Sequence, residues 1–176
     1  MNDELQLNYN STYDNVFLSS FERLKSRRNG EIQRSLWASS EVLEGLNGGI
    51  DQFPTAEAEA LFDAYLMGES ITVSLNLKHS KAEFKRLQDE QRVWEFGLRK
   101  QRGNQWRIFG CFFGQDKFVA LTIRNRNAIG KNHSVEAKLC IDLWNAKFGE
   151  REPMVASRWN DYLSGPVYDL DNADPF

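Results

Sequence analysis

The chain has 176 residues, 41% of them hydrophobic and 27% charged, with a formal net charge of −3. That is enough chain for one well-filled core but not for two ordinary domains, and the composition excludes the disordered and fibrous classes. No apolar run approaches the roughly 20 residues that span a bilayer, and Met1 to Asn10 lacks the basic and apolar regions of a secretion signal, so the expected location is cytoplasmic.

Cys111 and Cys140 lack the short spacing of a zinc or redox pair and read as small buried hydrophobes. The two histidines, His79 and His133, have no Cys, Asp or Glu cluster at ligand spacing beside them, so neither a metal nor another cofactor is expected.

Along the chain, Leu5 to Tyr9 alternates apolar and polar and predicts a short first strand. Phe17, Leu18, Phe21 and Leu24 recur at helical spacing, with Arg23, Lys25, Arg27 and Arg28 on the remaining face and last turn, and Asn29-Gly30 as the stop. Ile32, Leu36, Val42, Leu43 and Leu46 predict a second helix ended by Asn47-Gly48-Gly49, so the two should form an N-terminal antiparallel hairpin. Thr55 is placed to cap a third helix that ends near Gly68. The stretch from Ile71 to Leu77 alternates like a strand with one wet face, whereas residues 78–92 are charged and without a clear period.

Val93–Lys100, Gln105–Gly114 and Lys117–Arg126, joined by tight turns, predict an antiparallel meander. A closing helix should run from a Ser134 cap to Phe148, with Val135, Leu139, Cys140, Leu143, Trp144 and Phe148 as its apolar stripe and Gly149 as its end. From Pro153 onward only a turn around Arg158 to Leu163 stands out. The expected fold class is therefore α+β: an N-terminal helical hairpin on an antiparallel sheet of three to five strands, a closing C-terminal helix and an irregular tail. Residues 1–152 would form the domain and residues 153–176 an acidic, proline-containing appendage.

The net charge conceals a strong asymmetry. Residues 78–131 carry 13 basic side chains against 5 acidic, while residues 1–77 carry 5 against 12. Cations concentrated on part of a surface attract polyanions whatever the global charge. On the last meander strand Phe118, Ala120, Thr122, Arg124 and Arg126 should share a face, so that an apolar face ends as a cationic ledge which Arg99 and Arg107 could join. Arg107 could equally pair with Glu95. Lys131 and His133 fall in the loop before the closing helix, and an imidazole ordinarily titrates near neutrality. Trp106 and Phe113 could stack on bases or fill the core. No glycine-rich phosphate loop is present.

Three stretches carry a resemblance to a known family. "RVWEFGLRK" looks like a strand ending in Glu-Leu-Arg, "QWRIFGCFF" like a strand built round an internal Arg, and "RNRNAIGKNHSVEAKLCIDLW" like a basic loop followed by a helix with an inward Ala. Together with the order strand, helical hairpin, meander and closing helix, they resemble the RelE/ParE/HigB superfamily of bacterial toxins, closest to its HigB-like, phage-associated branch. The resemblance runs well from Val93 to Phe148 and loosely over residues 5–50. It departs where Arg124-Asn125-Arg126-Asn127 replaces a Lys-Lys pair and His133-Ser134 replaces a Thr-Pro.

The resemblance implies a toxin of a toxin–antitoxin system that cleaves mRNA, free or ribosome-bound, without metal, by attack of the ribose 2′-oxygen on the adjacent phosphate. Arg107, Arg124 and Arg126 would stabilise the phosphate, Lys131 or His133 would carry the proton, and Arg99, Lys100, Arg102 and Trp106 would contact RNA. The implied protein partner is an antitoxin, and a homo-oligomer is compatible. The alternative is a non-enzymatic binding protein, either a gyrase inhibitor of the ParE kind or a phage-associated interaction module.

Overall fold

The computed structural model describes residues 18, 20–76, 81–99, 105–129 and 133–172, with the Arg99 side chain left out. Its centre is one mixed sheet of eight strands in the order β1-β2-β7-β6-β5-β4-β3-β8. In chain order the elements are β1 (Glu22–Arg23), β2 (Ser35–Ala38), α1 (Ser40–Leu46), α2 (Thr55–Leu66), β3 (Ile71–Ser74), β4 (Phe84–Arg86), β5 (Val93–Arg99), β6 (Gln105–Gly114), β7 (Lys117–Asn125), α3 (Arg126–Ile129), α4 (Ser134–Phe148), α5 (Trp159–Tyr162) and β8 (Val167–Asp169). β2 runs parallel to β7, and β3 parallel to both β4 and β8; the remaining pairs are antiparallel.

Both faces of the central strands are covered, which is why they read as nearly continuous apolar runs. On one face Trp94, Phe96, Ile108, Phe112 and Phe118 pack with Val42 of α1 and with Phe62 and Tyr65 of α2. On the other, Val93, Phe109, Cys111, Val119 and Leu121 pack with Ala137, Cys140, Ile141, Trp144 and Phe148 of α4. Both cysteines are buried and free, and burial pushes the Cys140 thiol up to about 12.

The expected fold class is overturned. The sheet has eight strands in mixed orientation, not three to five antiparallel ones, and the N-terminal helical hairpin is absent from the described residues. Where the first helix was expected, Glu22 and Arg23 pair with Ala38 and Trp37, and Leu24 N donates to Leu36 O. The second helix loses its first half to β2. There Leu36 and Ala38 enter one core and Trp37 the other, a period of two inside a stretch that also fits a period of 3.6. Only α1 remains helical, capped by Ser39, whose Oγ accepts from Val42 N at 3.3 Å. The predicted strand at residues 5–9 lies outside the described residues.

Other expectations hold in place and shift in detail. α2 starts at Thr55, which is its first residue and not its cap: Pro54 holds the cap position, and the Thr55 hydroxyl donates to Gly45 O at 3.1 Å. Gly68 follows the end of α2 with φ +70°, the left-handed conformation that glycine tolerates. The meander strands lie as predicted, except that β5 is described to Arg99, with Lys100 outside the described residues, and that β7 ends at Asn125 and Arg126 opens α3. α4 spans the predicted residues, with His133 and not Ser134 at the cap position, and is rotated about its axis. Val135 is 62% exposed and Leu139 and Leu143 are half-buried, while Ala137 and Ile141 are buried.

The tail is not irregular. Tyr162 and Leu163 are buried and β8 adds a strand beside β3. The fully buried Arg34 ties these parts together, donating to Ser164 O at 2.8 Å and lying 3.5 Å from Asp116 in the β6–β7 turn. No helix among the described residues is long and apolar enough to cross a membrane.

Candidate functional site: an ionic cluster beneath the start of helix α4

A charged side chain in the middle of a strand buried on both faces is costly unless it is paired. Glu95 is such a residue. It lies on β5 between Trp94 and Phe96, points to the α4 face and is fully buried. Three cationic or cation-capable groups converge on its carboxylate from three elements. Lys85 Nζ, from β4, is 3.1 Å from Oε1, and Arg107 Nε, from β6, is 3.2 Å from the same oxygen. His133 Nδ1, at the start of α4, is 3.4 Å from Oε2. Burial alone would raise the Glu95 pKa, but the close approach of His133 and the charges of Lys85 and Arg107 outweigh it and hold the carboxyl below its ordinary range.

Strand register brings these groups together. Lys85 is the direct cross-strand partner of Glu95, and Arg107 is that of Gly97, over which its guanidinium lies; a Cβ built there would make ordinary contact with Arg107 Nη1 at 3.6 Å. Arg107 Nη1 also donates to Trp106 O at 2.9 Å. On the other side of Arg107, β7 places Arg124 directly opposite.

That last juxtaposition depends on a β-bulge. Phe109 pairs with Thr122 and Gly110 with Ala120, so Leu121 is an extra residue. Up to the bulge Phe118 and Ala120 face the α1–α2 core. Beyond it Ile123 does so, while Thr122 lies against Cys140 Sγ of α4 at 3.6 Å. The predicted single face of Phe118, Ala120, Thr122, Arg124 and Arg126 is therefore broken, because an inserted residue inverts a period of two. Gly110 permits the bulge: a Cβ there would meet Val119 O at 2.1 Å.

Arg124 is itself enclosed by acids. Its Nε is 2.9 Å from Glu136 Oε2 on α4, and its Nη1 contacts Glu41 Oε1 on α1. Glu41 Oε1 also accepts from Ile123 N at 3.0 Å, which ties the start of α1 to the end of β7. Burial would lower the Arg124 pKa, but the two carboxylates outweigh it and raise it.

Of the residues singled out from the sequence, Arg107, Arg124 and His133 belong to this cluster, and the anticipated Glu95–Arg107 pair forms. Arg126 lies on α3, exposed, with its guanidinium on Gln105 Oε1, which also accepts from Arg107 Nη2 at 3.5 Å. Trp106 lies on the opposite face of the sheet, only 8% exposed and edge-on to Phe53 at 5.5 Å. Phe113 is buried beneath Arg151, whose guanidinium carbon is 3.7 Å from the ring centre. Arg99 ends β5 opposite Gln105. Lys100, Arg102 and Lys131 lie outside the described residues.

Lys85, Glu41 and Glu136 were missed. Lys85 sits in a segment without periodicity, but Glu95 was a usable signal, since a lone acid inside an apolar strand requires a buried cation. Among the described residues no group of three or more His, Cys, Asp or Glu is arranged to hold a metal ion. No protein-family model, no curated protein and no solved structure matches the chain.

Proposed function

We propose that the chain cleaves RNA by the metal-free chemistry that its resemblance to the RelE/ParE/HigB toxins implies, with His133 as proton carrier, Arg124 as the cation beside the reacting phosphate and Arg107, buried at 6% exposure, supporting it from behind. The supporting observation is the buried Glu95 carboxylate, with one oxygen on Lys85 and Arg107 and the other 3.4 Å from His133 Nδ1. A carboxylate on Nδ1 favours the tautomer with its proton there and leaves Nε2 as the basic nitrogen. The His133 side chain is 21% exposed, within reach of a substrate.

In the proposed reaction Nε2 removes the proton of a ribose 2′-hydroxyl. The 2′-oxygen bonds to the adjacent phosphorus, the bond to the 5′-oxygen breaks, that oxygen takes a proton from water as it leaves, and His133 returns the proton it removed to the hydroxide so formed. The products are a 2′,3′-cyclic phosphate and a 5′-hydroxyl. Guanidinium groups suit the intervening step because they stay charged and can bond two phosphate oxygens at once. The protein partner in this reading is an antitoxin that relieves growth arrest.

Expression of the chain in bacteria tests the proposal, together with assays of purified protein on single-stranded RNA. Growth arrest and cleavage to 2′,3′-cyclic ends are expected, and a 2′-deoxy nucleotide at the cleaved position should abolish the reaction. Arg124→Ala should reduce the rate about 10²–10³-fold and His133→Ala about 10²–10⁴-fold. Cleavage indifferent to the 2′-deoxy substitution overturns the mechanism.

One observation favours the second reading, a non-enzymatic binding protein: Arg107 and Arg124 come already paired with Glu95, Glu41 and Glu136, which weakens the field available to a polyanion. Growth arrest that persists in both alanine variants, without RNA cleavage, selects that reading.

A further inference from the structure

The two oxygens of Glu95 are used differently. Among the described residues Oε1 receives two cations, Lys85 at 3.1 Å and Arg107 at 3.2 Å, whereas Oε2 faces only His133. One guanidinium suffices to neutralise one buried carboxylate, so the second cation needs its own account. Lys85 is 6% exposed and comes from β4, in the charged stretch between β3 and β5. Its neighbour Phe84 enters the opposite core, so strand alternation drives Lys85 into the α4 face directly across from Glu95. Placing an ammonium there is costly, and what it adds is a second anchor on the same oxygen.

The geometry points to Lys85 as a positioning residue: together with Arg107 it fixes Oε1 of Glu95, so that Oε2 stays ionised and turned towards His133 Nδ1. This rests on the reading of His133 as the proton carrier. Two anchors from different strands restrict rotation of the carboxylate about its last bond, which one anchor leaves free. Among the described residues the charged groups facing Glu95 are Lys85 from β4, Arg107 from β6 and His133 from the start of α4. Without Lys85, burial gains weight against the remaining cations and the carboxyl titrates at higher pH.

The test combines a spectroscopic and a kinetic measurement. In a His79→Gln background, ¹⁵N-histidine labelling leaves one imidazole signal, and its two nitrogen shifts report which nitrogen carries the proton in the neutral ring. The unmodified chain should hold the proton on Nδ1. Lys85→Met should move the population towards the Nε2–H form that free imidazole prefers in water, and Lys85→Arg should restore Nδ1–H. In RNA cleavage, the acid limb of the pH–rate profile should move up by about one pH unit in Lys85→Met, as loss of one nearby charge requires, and return in Lys85→Arg.

Lys85→Gln provides a second neutral side chain should Lys85→Met fail to fold. A folded neutral variant that keeps both the Nδ1–H tautomer and the acid limb overturns the proposal. So does failure of both neutral variants to fold while Lys85→Arg folds, since Lys85 is then only a structural counter-charge. If the unmodified chain cleaves no RNA, the ribonuclease reading falls, and the tautomer measurement alone decides the role of Lys85.

Discussion

Arg107 and Arg124 are direct cross-strand partners, two guanidinium groups at one register position of β6 and β7. Like charges so placed repel, and the structure offsets this with a carboxylate on each side: Glu95 on Arg107, and Glu41 with Glu136 on Arg124. The pair exists because the bulge at Leu121 turns Arg124 to the face that Arg107 already occupies.

The bulge makes Gly110 a sensitive position. Gly110→Ala should destabilise the fold by about 3 kcal/mol, the upper end of the usual cost of forcing a methyl into a packed site, because the neighbouring atom is the backbone oxygen of Val119 at 2.1 Å. Urea denaturation measures the loss. Gly114→Ala is the control, since a Cβ there would meet only Lys117 Cδ, at 3.8 Å.

Neutralising the acids round Arg124 should expose its charge. In Glu41→Gln combined with Glu136→Gln, single-stranded RNA should bind more tightly at low salt. The slope of log affinity against log salt should steepen by about 0.7, the value for one more phosphate neutralised on a single strand. Fluorescence anisotropy across a salt series reads both effects.

Glu95 predicts how stability depends on pH. Its carboxyl titrates lower in the folded chain than in the unfolded one, so its contribution is fully present above the unfolded carboxylate value, about 4.3, and is lost as pH falls through the folded value. Glu95→Gln should lower stability at neutral pH by about 3–5 kcal/mol, because it leaves Lys85 and Arg107 buried without their carboxylate. It should also remove this part of the acid-side slope. Urea midpoints between pH 3 and pH 7 separate the two effects.

The rotation of α4 is measurable in the same way. Trp144→Ala should cost about 3–5 kcal/mol as a buried aromatic truncation, since Trp144 is fully buried and packs on Phe148 at 4.2 Å. Leu139→Ala and Leu143→Ala remove half-buried side chains and should cost less than about half of that. Thermal melts of the three variants check the order.

These relationships divide what the sequence makes legible from what it does not. The meander and α4 could be read because their periods are long and their turns strong, as at Gly114 to Lys117. β2 could not, because Leu36, Trp37 and Ala38 join the sheet through Phe118, Val119 and Ala120, far along the chain, with only the two-residue β1 on their other side. The cationic face was misjudged by one residue, since nothing local to Leu121 announces a bulge; the tight contact of Gly110 that permits it lies on the neighbouring strand. His133 could be proposed from its side chain and Arg107 from its partner Glu95. Lys85 could not, because its role appears only when β4 is laid beside β5.

The β3–β8 pairing has a kinetic consequence. Ile71 cannot find Val167 until β4 to β7 and the helices that follow have all been made, whereas β5, β6 and β7 are joined by short connections and can associate as soon as they emerge. Chains dominated by distant pairings fold slowly, because the entropy of closing long loops is lost before their contacts form. The meander should therefore become protected from hydrogen exchange early in refolding, with the Ile71–Val167 edge last. Until that edge closes, β3 lacks its outer neighbour and remains open to pairing with another chain.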